Sequence, residues 1–219
     1  MPELLVVRHG QARFGAADAG SYDSLSELGH RQAAALGDTL RGLGWVPDRV
    51  VTGTLTRHHQ TYAEMGFSLD PEEHAGFNEY DFHDLLTARF SGSLPTDVEQ
   101  DRKAHFRALR STLREWQQDQ VPGVAETWTQ FTTRVDAARH HAARQGAERV
   151  LVVSSGGVIG QLVASALGTS PEQMIALNLQ VKNTSLTRFI FTQRAFFLHE
   201  FNATPHFADA DRAELMSFS

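Results

Sequence analysis

The sequence predicts an α/β fold in three layers, with a mostly parallel central sheet and helices on both faces. Two short aliphatic runs, Leu4–Val7 and Val150–Val153, are typical of strands that are buried on both faces of a parallel sheet. Between and after these runs, apolar residues recur at helical spacing. Because strands that alternate with helices pair in parallel, this pattern favours the α/β class.

The first half of the chain is expected to supply two strands and two helices. Leu4–Val7 is the first strand, and a second short strand is predicted at Arg49–Thr52. Ser26 can cap the helix between them, and Gly44 can end it. Helical character resumes around Leu55. The apolar face of the first helix comprises Ala33, Leu36, Leu40 and Leu43.

A polar, charged and helical stretch follows at residues 91–122. We expect a surface helix packed by one face, and its position between two sheet units makes it a candidate lid. The working prediction is a single domain of residues 1–219 with a small helical cap inserted at about residues 80–125. A further helix is predicted at residues 127–145. The packed face of the cap helix comprises Phe106, Leu109, Leu113 and Trp116.

The segment RVLVVSSGGVIG, residues 149–160, predicts a strand that turns into a helix. Its apolar run stops at Ser154 and Ser155, and Gly156 and Gly157 follow. Glycines in such a turn let backbone N–H groups approach a ligand, and the helix N-terminus favours an anion. Taken alone, the segment is compatible with an anion site or with an empty connector. The predicted helix carries Ile159, Leu162, Val163, Ala166 and Leu167 on its apolar face and ends at Gly168.

A β-hairpin is predicted near the end of the sequence, from Thr184–Phe191 and Ala195–Phe201. Its phenylalanines fit either the core or an edge contact in a homodimer, and the core is the favoured interpretation. These residues are Phe189, Phe191, Phe196, Phe197 and Phe201.

Composition excludes several classes of function. The 219 residues carry a formal net charge of −6 with a pI near 6, and no basic run indicates nucleic-acid binding. No stretch approaches the roughly 18 apolar residues of a membrane span. The start, MPELLVVRHG, lacks the basic region of a signal peptide, so we expect a cytoplasmic protein without a nucleic-acid or membrane partner. The absence of cysteine excludes disulfides and thiolate chemistry.

Charged or glycine-rich segments follow three of the predicted strands. Ligands of open α/β sheets bind beyond the carboxyl ends of the strands. That rule brings Arg8 and His9 together with Arg57 and the serine-glycine turn at residues 154–157. Guanidinium groups bind phosphomonoester oxygens, and a neutral imidazole can attack phosphorus. The set therefore predicts phosphoryl transfer, although an Arg-His pair at a strand end is by itself commonly a surface feature.

Six segments, in order, resemble the histidine phosphatase superfamily, which includes the cofactor-dependent phosphoglycerate mutases. VVRHGQARF resembles its signature, LSELGHRQAAALGDTL the segment after the first loop, and TGTLTRHHQT the stretch with its second phosphate-binding arginine. FNEYDFHDL is similar to the segment with its acidic proton donor, and GVAETWTQFTTRV and VLVVSSGGVIG are similar to later blocks. The blocks span nearly the whole chain, so the resemblance is specific.

The resemblance implies that His9 is the phosphorylated nucleophile and that Arg8 and Arg57 hold the phosphoryl oxygens. It also implies that Glu79 protonates the leaving oxygen and then activates water as a base. No metal and no other cofactor is implied, because the arginines neutralise the phosphoryl charge. The phosphate-binding residues that it implies are Arg8, Arg57, Ser155, Gly156 and Gln11.

Four other histidines are given a structural or surface role. His58 and His59 are adjacent, and neighbouring side chains on a helix point about 100° apart, so they are not expected to share a metal ion. His140 and His141 are treated in the same way.

Ser155 departs from the family pattern, which has Ser-His-Gly-Gly where this chain has Ser-Ser-Gly-Gly. A serine hydroxyl donates one hydrogen bond but carries no positive charge. Three interpretations stay open. The pocket is rearranged so that His58 or His83 supplies the missing cation, the protein binds phosphate with poor turnover, or the serine was engineered to trap a complex.

The sequence therefore predicts a phosphoric monoester hydrolase that acts on a small phosphorylated metabolite through phospho-His9. The alternatives are a phosphoglycerate mutase type of phosphotransfer and a catalytically impaired phosphate-binding protein. A mutase needs a second anion site, and the basic residues of the predicted cap are mixed with acids. Gln11 and the loop through Phe14 would line the entrance, and Gly15–Tyr22 and the cap would select the organic part. The basic cap residues are Arg102, Lys103, Arg107, Arg110 and Arg114.

Overall fold

A computed structural model describes residues 1–13, 23–144, 146–192, 194–208 and 210–218. Phe14, at the end of the predicted entrance, and the loop Gly15–Tyr22 that was predicted to select the organic part of the substrate lie outside the described residues. Among the described helices, none has the length and apolar character needed to cross a lipid bilayer.

The strands are β1 (Glu3–Arg8), β2 (Arg49–Thr52), β3 (Glu72–Glu73), β4 (Arg149–Ser154), β5 (Leu186–Phe191) and β6 (Phe196–Ala203). They form one sheet in the order β3-β2-β4-β1-β5-β6. The strands β1 to β4 are parallel, and β5 and β6 are antiparallel to their neighbours. The predicted mostly parallel sheet is confirmed. The two-residue edge strand β3 was not predicted, because it has no apolar pattern.

The helices are α1 (Glu27–Gly42), α2 (Thr56–Met65), α3 (Phe82–Arg89), α4 (Thr96–Gln100), α5 (Arg102–Trp116), α6 (Trp128–Ala142), α7 (Gly156–Leu167), α8 (Pro171–Asn178) and α9 (Ala210–Ala213). Two short 3-10 helices span Ala75–Phe77 and Pro205–Phe207. Helices α1 and α2 cover one face of the sheet, and the other face packs against α3, α5, α6, α7 and α8.

Alternate residues of the central strands contribute to two separate cores. In β1, Leu4 and Val6 belong to the larger core, whereas Leu5 and Val7 pack with α1 and α2. All four side chains are fully buried. Because successive side chains of a strand point to opposite faces, a strand between two helical layers needs a continuous apolar run.

Two predicted apolar positions are wrong, and both lie at the end of a helix. Ser26 caps α1 as predicted, and its hydroxyl accepts a hydrogen bond from the Gly29 N–H. However, Leu43 follows the helix as its C-cap and is 71% exposed. Leu167 is the last residue of α7 and is 55% exposed. Helical spacing therefore marks the core face only while the helix lies over the sheet.

The predicted apolar face of α5 is present, with Leu113 and Trp116 buried in the larger core. The predicted hairpin is formed by β5 and β6. Phe189 and Phe191 of β5 are buried, but Phe197 is 61% exposed because β6 is the edge strand. A homodimer contact at this edge stays a prediction.

Candidate active site

The carboxyl ends of β1, β2 and β4 meet at one edge of the sheet. Arg8 at the end of β1 pairs with Ser154 at the end of β4, and Arg57 lies in the first turn of the helix that follows β2. Arg8, His9, Arg57 and Glu79 line one cavity of about 200 Å³. The fold thus brings together the four residues that were predicted to be catalytic.

His9 is held as one tautomer. Its Nδ1 lies 2.7 Å from the carbonyl oxygen of Gly10, and the Nε–H of Arg57 donates to its Nε2 at 3.3 Å. Because a carbonyl oxygen only accepts, Nδ1 carries the proton and Nε2 keeps its lone pair. Burial lowers the pKa of His9 well below the usual 6.5, and the charges of Arg57 and Arg8 lower it further. His9 is therefore a neutral imidazole, as a nitrogen nucleophile must be.

Arg8 and Arg57 are almost fully buried, and the guanidinium group of each is held by a hydrogen bond. An Nη1–H of Arg8 donates to the carbonyl of Val181. An Nη1–H of Arg57 donates to Asp23 Oδ1 at 2.6 Å, and the backbone N–H of Thr56 donates to Asp23 Oδ2 at 2.8 Å. Asp23 thus fixes both the start of α2 and the Arg57 guanidinium. Sequence reasoning missed Asp23, since a carboxylate in a polar loop forms no recognisable pattern.

Glu79 is an acid whose pKa is raised. Burial raises its pKa above the usual 4.5, against the opposing effects of the Gly157 hydrogen bond, Arg57 and Arg8. The Gly157 N–H donates to its Oε2 at 3.0 Å. A raised pKa favours the protonated carboxyl group, which is the form that a general acid needs.

The segment before Glu79 is tied to two other elements. The Asn78 side chain accepts from the Thr54 N–H and donates to the Thr54 hydroxyl, both at 2.7 Å. Arg134 of α6 donates through Nη1 to the carbonyls of Gly76 and Asn78, at 3.1 and 2.7 Å. Neither Asn78 nor Arg134 was predicted, because their role depends on contacts between distant parts of the chain.

The family model of the histidine phosphatase superfamily (branch 1) matches residues 4–204 of this chain. The chain belongs to that superfamily. This confirms the family resemblance of the six sequence segments. A search of curated proteins found no match.

Solved structures share the fold at low sequence identity. A phosphoserine phosphatase mutant from Entamoeba histolytica, in complex with phosphoserine, is 18% identical with a TM-score of 0.65, and the match covers 94% of this chain and 99% of that one. A putative alpha-ribazole-5'-P phosphatase from Escherichia coli is 21% identical, with a TM-score of 0.68 and coverage of 92% and 96%. A mycobacterial glucosyl-3-phosphoglycerate phosphatase is 22% identical, with a TM-score of 0.67 and coverage of 93% and 100%.

In this member of the histidine phosphatase superfamily, the serine-glycine turn makes room for other groups of the site. A Cβ on Gly157 would overlap the Glu79 carboxyl group and the Tyr80 ring. A Cβ on Gly156 would lie 2.5 Å from Asn178 Oδ1. The two glycines thus allow the N-terminus of α7 to approach Glu79 and α8 closely.

Three of the predicted phosphate-binding residues, Ser155, Gly156 and Gln11, are not among the described residues that line the cavity. Ser155 is fully buried, and its Oγ lies 2.8 Å from His58 Nε2. Gln11 Oε1 accepts a hydrogen bond of 2.9 Å from the hydroxyl of Ser26. The phosphate contacts of these three residues stay predictions.

Of the two histidines considered as substitutes for the family's histidine, His58 is the one that lies beside His9. Their ring centroids are 5.7 Å apart, and His58 is fully buried, so of the structural or surface role predicted for it only the structural one fits. His83 is exposed on α3. His59 lies 3.7 Å from Glu73, away from the cavity. Within the described residues, no group of three or more side chains is arranged to hold a metal ion.

The wall of the cavity away from His9 is largely apolar and aromatic. Among the described lining residues, Arg8 and Arg57 are the only arginines or lysines. A larger cleft, of about 480 Å³, lies beside α6, but its Arg139 and Arg144 are paired with Asp136 and Glu72. The apolar wall of the cavity comprises Phe82, Phe106, Leu109, Leu179 and Phe218, with Tyr80 beside Glu79.

Proposed function

We propose that this chain is a phosphoric monoester hydrolase that acts through a phosphohistidine at His9. One observation carries the proposal: the Gly10 carbonyl holds the proton on Nδ1, so that Nε2 keeps its lone pair. In this structure that lone pair accepts the Arg57 Nε–H, and it becomes the nucleophile when a phosphoryl group replaces this contact. The fold neighbours support the same chemistry, because several of them are phosphatases of small phosphorylated molecules.

In the first step, His9 Nε2 attacks phosphorus and the ester P–O bond breaks. Arg8 and Arg57 balance the charge of the phosphoryl oxygens. The leaving oxygen takes the proton of Glu79, whose raised pKa favours the protonated carboxyl group. The products are an alcohol, a phosphohistidine and the Glu79 carboxylate.

In the second step, the Glu79 carboxylate removes a proton from water as the water oxygen attacks phosphorus. The N–P bond breaks, and the electron pair returns to Nε2 of His9. Inorganic phosphate leaves, Glu79 is protonated again and His9 is neutral, so the cycle closes without a metal or another cofactor.

A hydrolase is favoured over a mutase by the cavity wall. A mutase must hold a second anionic group of its substrate and keep water away from the phosphohistidine. The described lining offers no arginine or lysine beyond Arg8 and Arg57. Its wall from α3 and α5 is mainly apolar, with Phe82, Phe106 and Leu109 beside the imidazole of His105. We propose that residues 80–125 form the cap, and that its Phe82 and Phe106 contact an apolar or aromatic group of the substrate.

Turnover of an aryl phosphate tests the proposal. We expect hydrolysis by the wild type, none by His9→Ala, and an acid-labile phosphoenzyme in the wild type only. A phosphate ester with a second anionic group, such as the carboxylate of 3-phosphoglycerate, should be the poorer substrate. Phosphate binding without turnover across a panel of phosphoesters would instead favour the impaired binding protein, and transfer of the phosphoryl group within 3-phosphoglycerate would favour the mutase.

A further inference from the structure

Ser155 occupies a helix-capping position without capping the helix. It precedes α7 with extended backbone angles, φ −124° and ψ 166°, but its side chain makes no hydrogen bond to the N–H groups of the first turn. A serine at this position ordinarily accepts such a bond. Here the hydroxyl lies 2.8 Å from His58 Nε2 instead. The Ser155 side chain is therefore directed at an imidazole from another element.

The buried position of His58 costs free energy, and His58 takes no part in the two reaction steps proposed above. Its imidazole is fully buried against the backbone of Gly53, where a Cβ would overlap the ring. Burial, and then the charges of Arg57 and His59, lower its pKa well below 6.5, so the ring is neutral. Burying a polar ring costs free energy unless its nitrogen atoms find partners. Ser155 is the partner of Nε2, whereas the buried Nδ1 makes no hydrogen bond with the described residues.

The His58–Ser155 pair lies next to His9 and within the turn that contacts Glu79. The backbone N–H of His9 donates to the carbonyl of Ser154 at 2.9 Å, and the backbone N–H of Gly157 donates to Glu79. The His58 ring lies 5.7 Å from the His9 ring. Ser155 is also the position at which this chain lacks the family's histidine.

We propose that His58 and Ser155 act as one unit in place of that histidine, with His58 as a positioning residue that acts through Ser155. Because His58 Nδ1 makes no hydrogen bond within the described part of the chain, we place the ring proton on Nε2, which then donates to Ser155 Oγ. This leaves the hydroxyl hydrogen for a phosphoryl oxygen of the group on His9. Ser155 does not line the described part of the cavity, so that contact forms only when the bound group reaches it. No proton is transferred, and the pair contributes one oriented donor to the transition state. The imidazole of this site thus comes from α2 instead of from the turn after β4.

A swap of the imidazole between the two positions tests this inference, which rests on the proposed phosphatase activity. We expect His58→Ala to lower kcat by about 10²-fold, the order typical of losing one preorganised donor. Ser155→His alone should also lose activity, because the new ring would overlap His58. In His58→Ala/Ser155→His the ring has room again, and kcat should recover at least tenfold over His58→Ala.

A double-mutant cycle gives a readout that a purely structural role would not produce. If the pair is one unit, His58→Ala, Ser155→Ala and the double variant should show the same loss of kcat with little change in KM. His58→Gln keeps an N–H near Ser155 and should retain more activity than His58→Ala. His59→Ala is the matched control, since His59 faces Glu73, and it should behave as the wild type.

Additive losses in the cycle, or a swap variant that folds but stays as inactive as His58→Ala, would overturn the inference. If His58→Ala does not fold, as judged by circular dichroism, kcat of the swap variant and of His58→Gln is compared with that of the wild type instead. Folded variants that are both inactive would overturn the inference. A wild type without His9-dependent turnover would remove the proposed function and this inference together. Normal turnover in His58→Ala would remove this inference alone.

Discussion

Glu79 Oε2 accepts a hydrogen bond of 3.0 Å from the backbone N–H of Gly157, the second residue of α7. This bond joins the acidic residue of one segment to the turn that follows β4, across 78 positions of sequence. It orients the carboxyl group, while burial raises the pKa of that group. The first three predictions depend on this relationship or on the charges around it.

Glu79→Gln should remove the general acid but keep the contact with Gly157, because the amide oxygen can still accept. We expect kcat/KM to fall by about 10²- to 10⁴-fold, the usual contribution of a positioned acid or base. The loss should be smaller for aryl phosphates with acidic phenols, since these leave without help. Steady-state rates over a series of substituted phenyl phosphates measure it, and an equal loss for all of them would contradict the role of Glu79.

The pH dependence of kcat/KM should be bell-shaped, with one limb from His9 and the other from Glu79. Activity should rise as His9 loses its proton, below pH 6.5 because its pKa is lowered. It should fall as Glu79 ionises, above pH 4.5 because its pKa is raised. In Glu79→Gln the alkaline limb should disappear. An alkaline limb that is unchanged in this variant would show that another group is the acid.

Gly157→Ala should displace the Glu79 carboxyl group, because the added Cβ overlaps Glu79 and Tyr80. We expect a loss of activity close to that of Glu79→Gln, about 10²-fold or more. Gly42→Ala is the matched control, since a Cβ there meets no atom within 4 Å. Comparable activity in both variants would mean that the contact of Gly157 with Glu79 is not needed.

Asp23→Asn should weaken the hold on Arg57. The pair is largely buried, with 23% and 10% of the two side chains exposed, so the charge contributes to the position of the guanidinium. We expect KM to rise about tenfold, which corresponds to about 1.4 kcal/mol of binding free energy. Asp38→Asn breaks the exposed pair with Arg41 and should leave KM unchanged. Equal KM values in both variants would remove the positioning role of Asp23.

Stability should fall in acid through His206, which lies outside the site. Burial, followed by the charge of Arg212, lowers its pKa from 6.5 to about 3 in the folded protein. The contribution of the neutral ring to the free energy of unfolding is thus fully present above pH 6.5, and it is lost as the pH falls toward 3. The free energy of unfolding should decrease there by up to about 1.4 kcal/mol per pH unit.

Denaturant unfolding at several pH values measures this dependence. His206→Gln should flatten it, because the titrating group is gone. His140→Gln is the control, since that side chain is 64% exposed. A slope that is unchanged in His206→Gln would assign the acid sensitivity to other groups.

The sequence by itself determined five of the six strands, most helix positions and four of the residues that line the cavity, Arg8, His9, Arg57 and Glu79. Strands buried on both faces require continuous aliphatic runs, and the charged residues that end them reveal which edge of the sheet holds the site. His9 and Glu79 could be found because each lies in a short segment that resembles the family. Such local patterns can be recognised without any knowledge of the contacts between distant segments.

The tertiary structure decided the features that depend on two distant segments. His58 and Ser155 are 97 positions apart, and no periodicity or motif links an imidazole on α2 to a hydroxyl after β4. The same holds for Asp23 with Arg57, and for Gln11, whose side chain contacts Ser26. A hydrogen bond between side chains depends on the packing of whole elements, and only folding fixes that packing.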